Sequence, residues 1–248
     1  MRNILRLATL LLLPAALPAA LLAACAGSPE SAGEPPWPPG PPPPILAVEA
    51  RFGALARARG SAVPLAGGLA LTAAHVVDEA SLREEMCRLG RWPAEQAPYL
   101  AGLRLRQADG SEVAATRVRL GRSTFTRQGC DLAYRQGQDL ALLRPDAPLA
   151  GPAATVCPAD PQPGQGVVAF SGGRLVRGRL AGEAMEAEPA NGRYAVLALR
   201  LEAGDSGGGV FDAASGCLLG IISMRDPAEP GHSWLVRAAV IRAFLAAE

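Results

Sequence analysis

The 248-residue sequence predicts an all-β protein of antiparallel strands. From about Ile45 onward, short apolar runs recur, separated by Gly, Pro, Asp and Asn, the pattern of short strands joined by turns. These runs are not interleaved with long helical patterns, which favours a barrel or sandwich over βαβ units. The chain is 49% hydrophobic and 19% charged, enough for a sizeable core in one all-β domain or two small ones.

The first element, residues 1–24, reads as a signal peptide. Arg2 and Arg6 give a positive start, and Leu7 to Leu22 is an apolar run interrupted only by Thr9 and softened by Pro14 and Pro18. A permanent membrane span is the competing reading. The run is short for the roughly 20 residues a span needs, and it holds two helix-breaking prolines. Gly27 to Pro44 is rich in Pro, Ser and Gly without an apolar period, so it cannot build a core. Its Pro41–Pro44 run should be extended at about 3.1 Å per residue. It reads as a stiff tether, or as a plain disordered N-terminus.

The folded part is 45–248. Val63-Pro64-Leu65, Gly67-Gly68 and Leu69-Ala70-Leu71-Thr72 read as strand, turn and strand. Further strands are expected at Val113–Leu120, Leu140–Leu143, Gly166–Phe170, Tyr194–Leu199, Gly209–Phe211 and Leu218–Ser223, and helices at Val77–Leu89 and Val236–Ala247. No internal sequence repeat is visible.

Composition excludes several chemistries. The net charge is +1 with no basic block, so nothing points to nucleic acid. All 24 basic residues are arginine and lysine is absent. Arginine keeps its proton in proteins, so Ser–Lys dyads, Schiff-base lysines and P-loop lysines are excluded. With two histidines and no CxxC pair, zinc is disfavoured, and no metal or cofactor is expected.

Three segments can carry chemistry: Leu71-Thr72-Ala73-Ala74-His75-Val76-Val77, Gln138-Asp139-Leu140-Ala141-Leu142-Leu143 and Gly204-Asp205-Ser206-Gly207-Gly208. Each alone has an ordinary structural explanation: a buried histidine, an Asp opening a strand, a glycine-rich turn. Together they offer a hydroxyl, a base whose unperturbed pKa lies near about 6.5, and a carboxylate to orient it.

In that order the segments resemble the trypsin-like peptidase family, whose motifs run T-A-A-H, D-I/L-A-L-L/I and G-D-S-G-G. The likeness spans roughly Gly60 to Glu248, and in style it is nearest to short bacterial members, including the HtrA-type peptidase domain. It implies two six-stranded antiparallel β-barrels of the chymotrypsin type, an active site between them and a C-terminal helix. It implies that His75, Asp139 and Ser206 form the catalytic triad, with backbone N–H groups of Gly204 and Ser206 as the oxyanion hole. His232, the other histidine, follows Ser206 and lies in no matching motif. By motif offset, Arg200 sits where relatives place the base of the specificity pocket. Ser223-Met224-Arg225 matches the strand that pairs with substrate, and His232 falls near the far pocket wall. A positively lined pocket would favour acidic side chains; alternatively Arg200 points outward from a strand. Asp205 should be buried and paired. No Arg-Ile-Val-Gly-Gly-like activation site precedes His75, so an arginine is its expected partner. The chain departs from the family at Gly209, where proline is usual, and around Arg83–Leu100, where an insert should border the cleft.

Export would place the remaining cysteines in an oxidising compartment. Cys87, Cys130, Cys157 and Cys217 allow three pairings; Cys87–Cys130 and Cys157–Cys217 are preferred, since they would brace the regions between and beside the triad residues. Leu22-Ala23-Ala24-Cys25 resembles the bacterial lipoprotein box, which implies lipidation of Cys25; ordinary cleavage after Ala24-Cys25-Ala26 is the competing reading. Ala26 in place of Asp implies the outer membrane in enterobacterial lipoproteins. The expected molecule is a monomeric, lipid-anchored endopeptidase on the periplasmic side of the envelope, with protein or peptide substrates and the bilayer as partners. A catalytically silent binding or scaffold lipoprotein is the alternative. An α/β-hydrolase esterase fits Gly-x-Ser-x-Gly literally but requires βαβ units and the order Ser, Asp, His.

Overall fold

Leu46, Val48, Ala50 and Phe52 are buried while the residues between them face outward, and this period of two makes Leu46–Phe52 the first strand, β1. The computed structural model describes residues 42–54, 56–90, 99–125, 132–171, 174–185, 193–226 and 229–247. The signal segment, Cys25 and nearly all of the tether lie outside the described residues, as does Cys130 of one expected disulfide.

After β1 come β2 (Ala56–Leu65), β3 (Leu69–Thr72), α1 (Ala74–Val77), α2 (Glu79–Arg88), β4 (Leu100–Arg106), β5 (Glu112–Leu120), the small hairpin β6 (Ser123–Phe125) and β7 (Leu132–Tyr134), and β8 (Ala141–Pro145). The second half holds β9 (Gly166–Ser171), β10 (Arg174–Met185), β11 (Arg193–Leu197), β12 (Gly209–Asp212), β13 (Leu218–Arg225), β14 (Ser233–Arg237) and α3 (Ala238–Ala246). Two closed barrels result, ordered β1-β2-β3-β8-β5-β4 and β10-β11-β14-β13-β12-β9. Counted along the chain, the strands of each barrel close in the same cyclic order, so one topology is used twice without a repeated sequence. Every strand pairing is antiparallel. Closure leaves neither sheet with an unpaired edge along its length.

Leu46, Val63, Leu71, Leu105 and Leu143 fill the first barrel, and Val167, Ala169, Leu197, Val210 and Leu235 fill the second; all are almost fully buried. Phe211, Val236 and Ile241 join the first cluster from the C-terminal half. Helix α3 buries Ile241 and Phe244, and Arg119 of β5 donates to the Phe244 carbonyl, so the last helix ties back to the first barrel. The expected Cys157–Cys217 disulfide is present, joining the segment before β9 to the start of β13. Among the described residues no helix is long and apolar enough to cross a membrane, and no cluster suits a metal ion.

Candidate active site

β3 ends at Thr72, whose buried hydroxyl donates to the Ser61 carbonyl at 2.7 Å. The chain then enters α1 and sets His75 at the barrel rim. Asp139 lies just before β8, the strand paired with β3, so the ladder brings the two motifs together. Asp139 is fully buried and accepts the His75 backbone N–H on Oδ1 at 2.9 Å and His75 Nδ1 on Oδ2 at 2.8 Å. The buried carboxylate keeps the ring proton on Nδ1, which leaves Nε2 as an acceptor.

A third bond comes from the other barrel. Ser223 of β13 donates to Asp139 Oδ2 at 2.6 Å, so this residue, expected only to meet substrate, also holds the carboxylate. Burial alone would push the His75 pKa down, but the charge and hydrogen bond of Asp139 outweigh it and hold the imidazole above its ordinary 6.5. For Asp139, burial pushes upward, and His75 together with the Ser223 hydroxyl brings the carboxyl below its usual range.

Ser206 sits in the tight loop before β12. Its hydroxyl donates to the Ser223 carbonyl at 3.2 Å and makes no hydrogen bond to His75, although both residues line one cavity of about 370 Å³. The loop is pinned to the first barrel at Ser61, whose N–H donates to Ser206 O at 2.7 Å and whose hydroxyl donates to Gly204 O at 2.9 Å. Only glycine fits at 207: φ is +88°, and a Cβ there would lie 2.0 Å from Ser61 O. Gly204 has φ +98°, and the N–H groups of Gly204 and Ser206 have no acceptor among the described residues. Asp205 is buried as expected, and its Oδ2 accepts the Glu202 N–H at 2.7 Å.

The residues expected at the specificity pocket divide between its lining and the surface. Arg200 is largely exposed, 3.6 Å from Glu202 Oε1, and does not line the cavity beside Ser206. Leu201, Ile222 and Ser233, all buried, line it instead. Leu201, five residues before Ser206, turns inward, while Arg200, six before it, faces outward. His232 lies 2.7 Å from Glu229 Oε2 and is also outside this lining. Ser223, Met224 and Arg225 do line it. The β12 ladder with β13 ends at Gly209↔Ile221, so Ser223–Arg225 continues past the end of that pairing.

A second cavity, of about 570 Å³, flanks His75 and is bordered by α2 through Leu82, Glu84 and Glu85. Beside it Tyr134 donates to Asp78 Oδ2 at 3.1 Å, and Asp78 also caps α2 through Ala80 N at 2.9 Å. Burial holds the Asp78 carboxyl above its usual range despite these bonds. Residues 83–88 of the expected insert are thus the second half of α2. No local pattern announces Tyr134 or the Ser61 anchor.

A family model described as the trypsin-like peptidase domain matches residues 60–221. The chain belongs to the trypsin-like peptidase family. Solved structures share the architecture of this peptidase. The Rv3671c protease from M. tuberculosis, in its active form, aligns with a TM-score of 0.59 at 17% identity, over 82% of this chain and 80% of that one. The serine endoprotease from Yersinia pestis aligns with a TM-score of 0.53 at 18% identity, over 82% and 61%. An HtrA-type protease, AlgW, with a tripeptide gives 0.56 at 18% identity, over 82% and 59%. At such identities the likeness is one of fold. No curated protein matches the sequence. Family membership and the two-barrel fold identify a serine endopeptidase.

Proposed function

We propose that the peptidase hydrolyses peptide bonds of proteins at the cell envelope through an acyl-enzyme on Ser206. His75 takes the hydroxyl proton as Ser206 attacks, then returns it to the leaving amine. Asp139 fixes the imidazole tautomer and stabilises its charged form. The N–H groups of Gly204 and Ser206 supply the oxyanion donors. The observation that carries this reading is the buried Asp139–His75 pair in the same cleft as Ser206. The Ser206–Ser223 bond is a resting arrangement; rotation about one side-chain torsion redirects the hydroxyl.

Export through residues 1–24 and lipid attachment at Cys25 complete the proposal, with 25–44 as the spacer between bilayer and catalytic domain. The apolar run and the Leu22-Ala23-Ala24-Cys25 box support it. Labelling with a fluorophosphonate tests the chemistry: the native protein should react, and Ser206→Ala and His75→Ala should not. A casein assay then separates peptidase from esterase. Incorporation of an alkynyl fatty acid, lost in Cys25→Ser, tests the anchor.

A further inference from the structure

We infer that an ion pair across the mouth of the cavity beside Ser206, Glu202 with Arg225, gates the primary specificity pocket and restricts cleavage to bonds after small, uncharged residues. This deepens the proposed peptidase function and rests on it.

The cavity has two walls, 201–203 and 223–225. They come from the loop before Ser206 and from the end of β13. Arg225 spans them. Its Nη2 lies 2.9 Å from Glu202 Oε2, and its Nε donates to Leu201 O at 3.1 Å. Both paired side chains are about half exposed, 47% for Arg225 and 59% for Glu202, so the pair lies at the solvent end. The inner end is formed by Leu201, Ile222 and Ser233, with exposures of 4%, 3% and 1%.

That inner end holds no charge. Ser233 is already engaged: its hydroxyl donates to Leu199 O at 2.9 Å and accepts the Leu201 N–H at 3.2 Å. Apart from His75, the only charged side chains among the described residues lining the cavity are Glu202 and Arg225, which pair at its mouth, with Arg200 outside the lining and 3.6 Å from the other Glu202 oxygen. A charged substrate side chain would lose its hydration there without gaining a partner. A large aromatic one would have to part the pair. A small neutral side chain passes beneath it and meets apolar walls. The pair is partly exposed, hence screened by salt, so the gate is weak enough to be opened by ionic strength.

Tetrapeptide p-nitroanilides differing only in the residue before the scissile bond test this on the purified full-length protein, with fluorophosphonate labelling in parallel. The expected order puts Ala and Val above Phe, Arg and Glu by at least about tenfold in kcat/KM. Arg225→Gly should raise the Phe-to-Ala ratio about tenfold or more, Arg225→Lys should hold it near the native value, and salt should raise it in the native protein but not in Arg225→Gly. A labelled, active protein that prefers Phe, Arg or Glu, or whose ratio ignores Arg225→Gly, overturns the gate alone. Failure of both labelling and turnover overturns the peptidase reading and the gate with it.

Discussion

The Ser223 hydroxyl donates to Asp139 Oδ2 at 2.6 Å, with both residues fully enclosed. The same carboxylate oxygen accepts His75 Nδ1, and the Ser223 carbonyl accepts the Ser206 hydroxyl. One residue of the second barrel therefore touches both ends of a constellation whose base and carboxylate stand on the first. A hydrogen bond to a charged group is worth about 1.5–3 kcal/mol. Ser223→Ala should lower kcat/KM about 10- to 100-fold with the fold retained, and Ser223→Thr, which keeps the hydroxyl, should lose less. Steady-state kinetics beside a thermal melt checks both.

The direction of the His75 shift fixes the acid limb of activity. Protonated on both nitrogens, the ring cannot accept the Ser206 proton, so activity appears only as pH rises through the folded-state pKa. That pKa is held above 6.5 by Asp139 against the opposing effect of burial. The kcat/KM profile should therefore rise with a midpoint above 6.5. Asp139→Asn removes the largest charge opposing burial and leaves only the smaller effects of Glu84 and Asp78 against it, so the midpoint should move down while kcat falls about 10⁴-fold. A midpoint unmoved by the substitution would contradict this account.

Much of this was readable before folding, and what was not has local causes. The triad motifs lie where β3, β8 and the loop before β12 converge, because motif order and strand pairing agree. Strand β10 was missed because its pattern is disguised. Its inward positions include Gly178, where a Cβ would lie 2.6 Å from Leu199, while Leu175 faces out at 49% exposure. The missing side chain is supplied by Leu199 from another segment, which no window of sequence reveals. The C-terminal helix was placed two residues early because Val236 pairs with Ile221 in β14 before α3 begins. Arg200 takes the outward one of the two orientations the sequence left open, because an offset locates a backbone position, whereas the direction a side chain takes depends on the local turn.

Gly209 replaces the proline usual in the family, and packing explains it. A Cβ at 209 would lie 2.6 Å from the Phe211 ring and 2.9 Å from Val63. The large Phe211 occupies the space a side chain at 209 would need. Gly209→Ala should destabilise the protein by about 1–3 kcal/mol through overpacking, seen as a lower midpoint in urea. Trimming the neighbour in Gly209→Ala/Phe211→Leu should recover part of that loss relative to Phe211→Leu alone, which a double-mutant cycle measures.

The Cys157–Cys217 bridge closes a loop with a sequence separation of 60 residues. It binds the approach to β9 to the start of β13, the strand that carries Ser223 and Arg225 into the cleft. In the chain-entropy account such a loop contributes about 4 kcal/mol by restricting the unfolded chain. The neighbouring backbone already pairs, since Cys157 N donates to Leu218 O at 2.9 Å and Leu218 N donates to Thr155 O at 2.8 Å. Local geometry should therefore survive loss of the bond while global stability falls. Cys157→Ala/Cys217→Ala should lower the unfolding free energy by about 2–4 kcal/mol in urea, yet retain fluorophosphonate labelling at low temperature. Loss of labelling under conditions where the double variant is still folded would instead give the bridge a direct part in shaping the cleft.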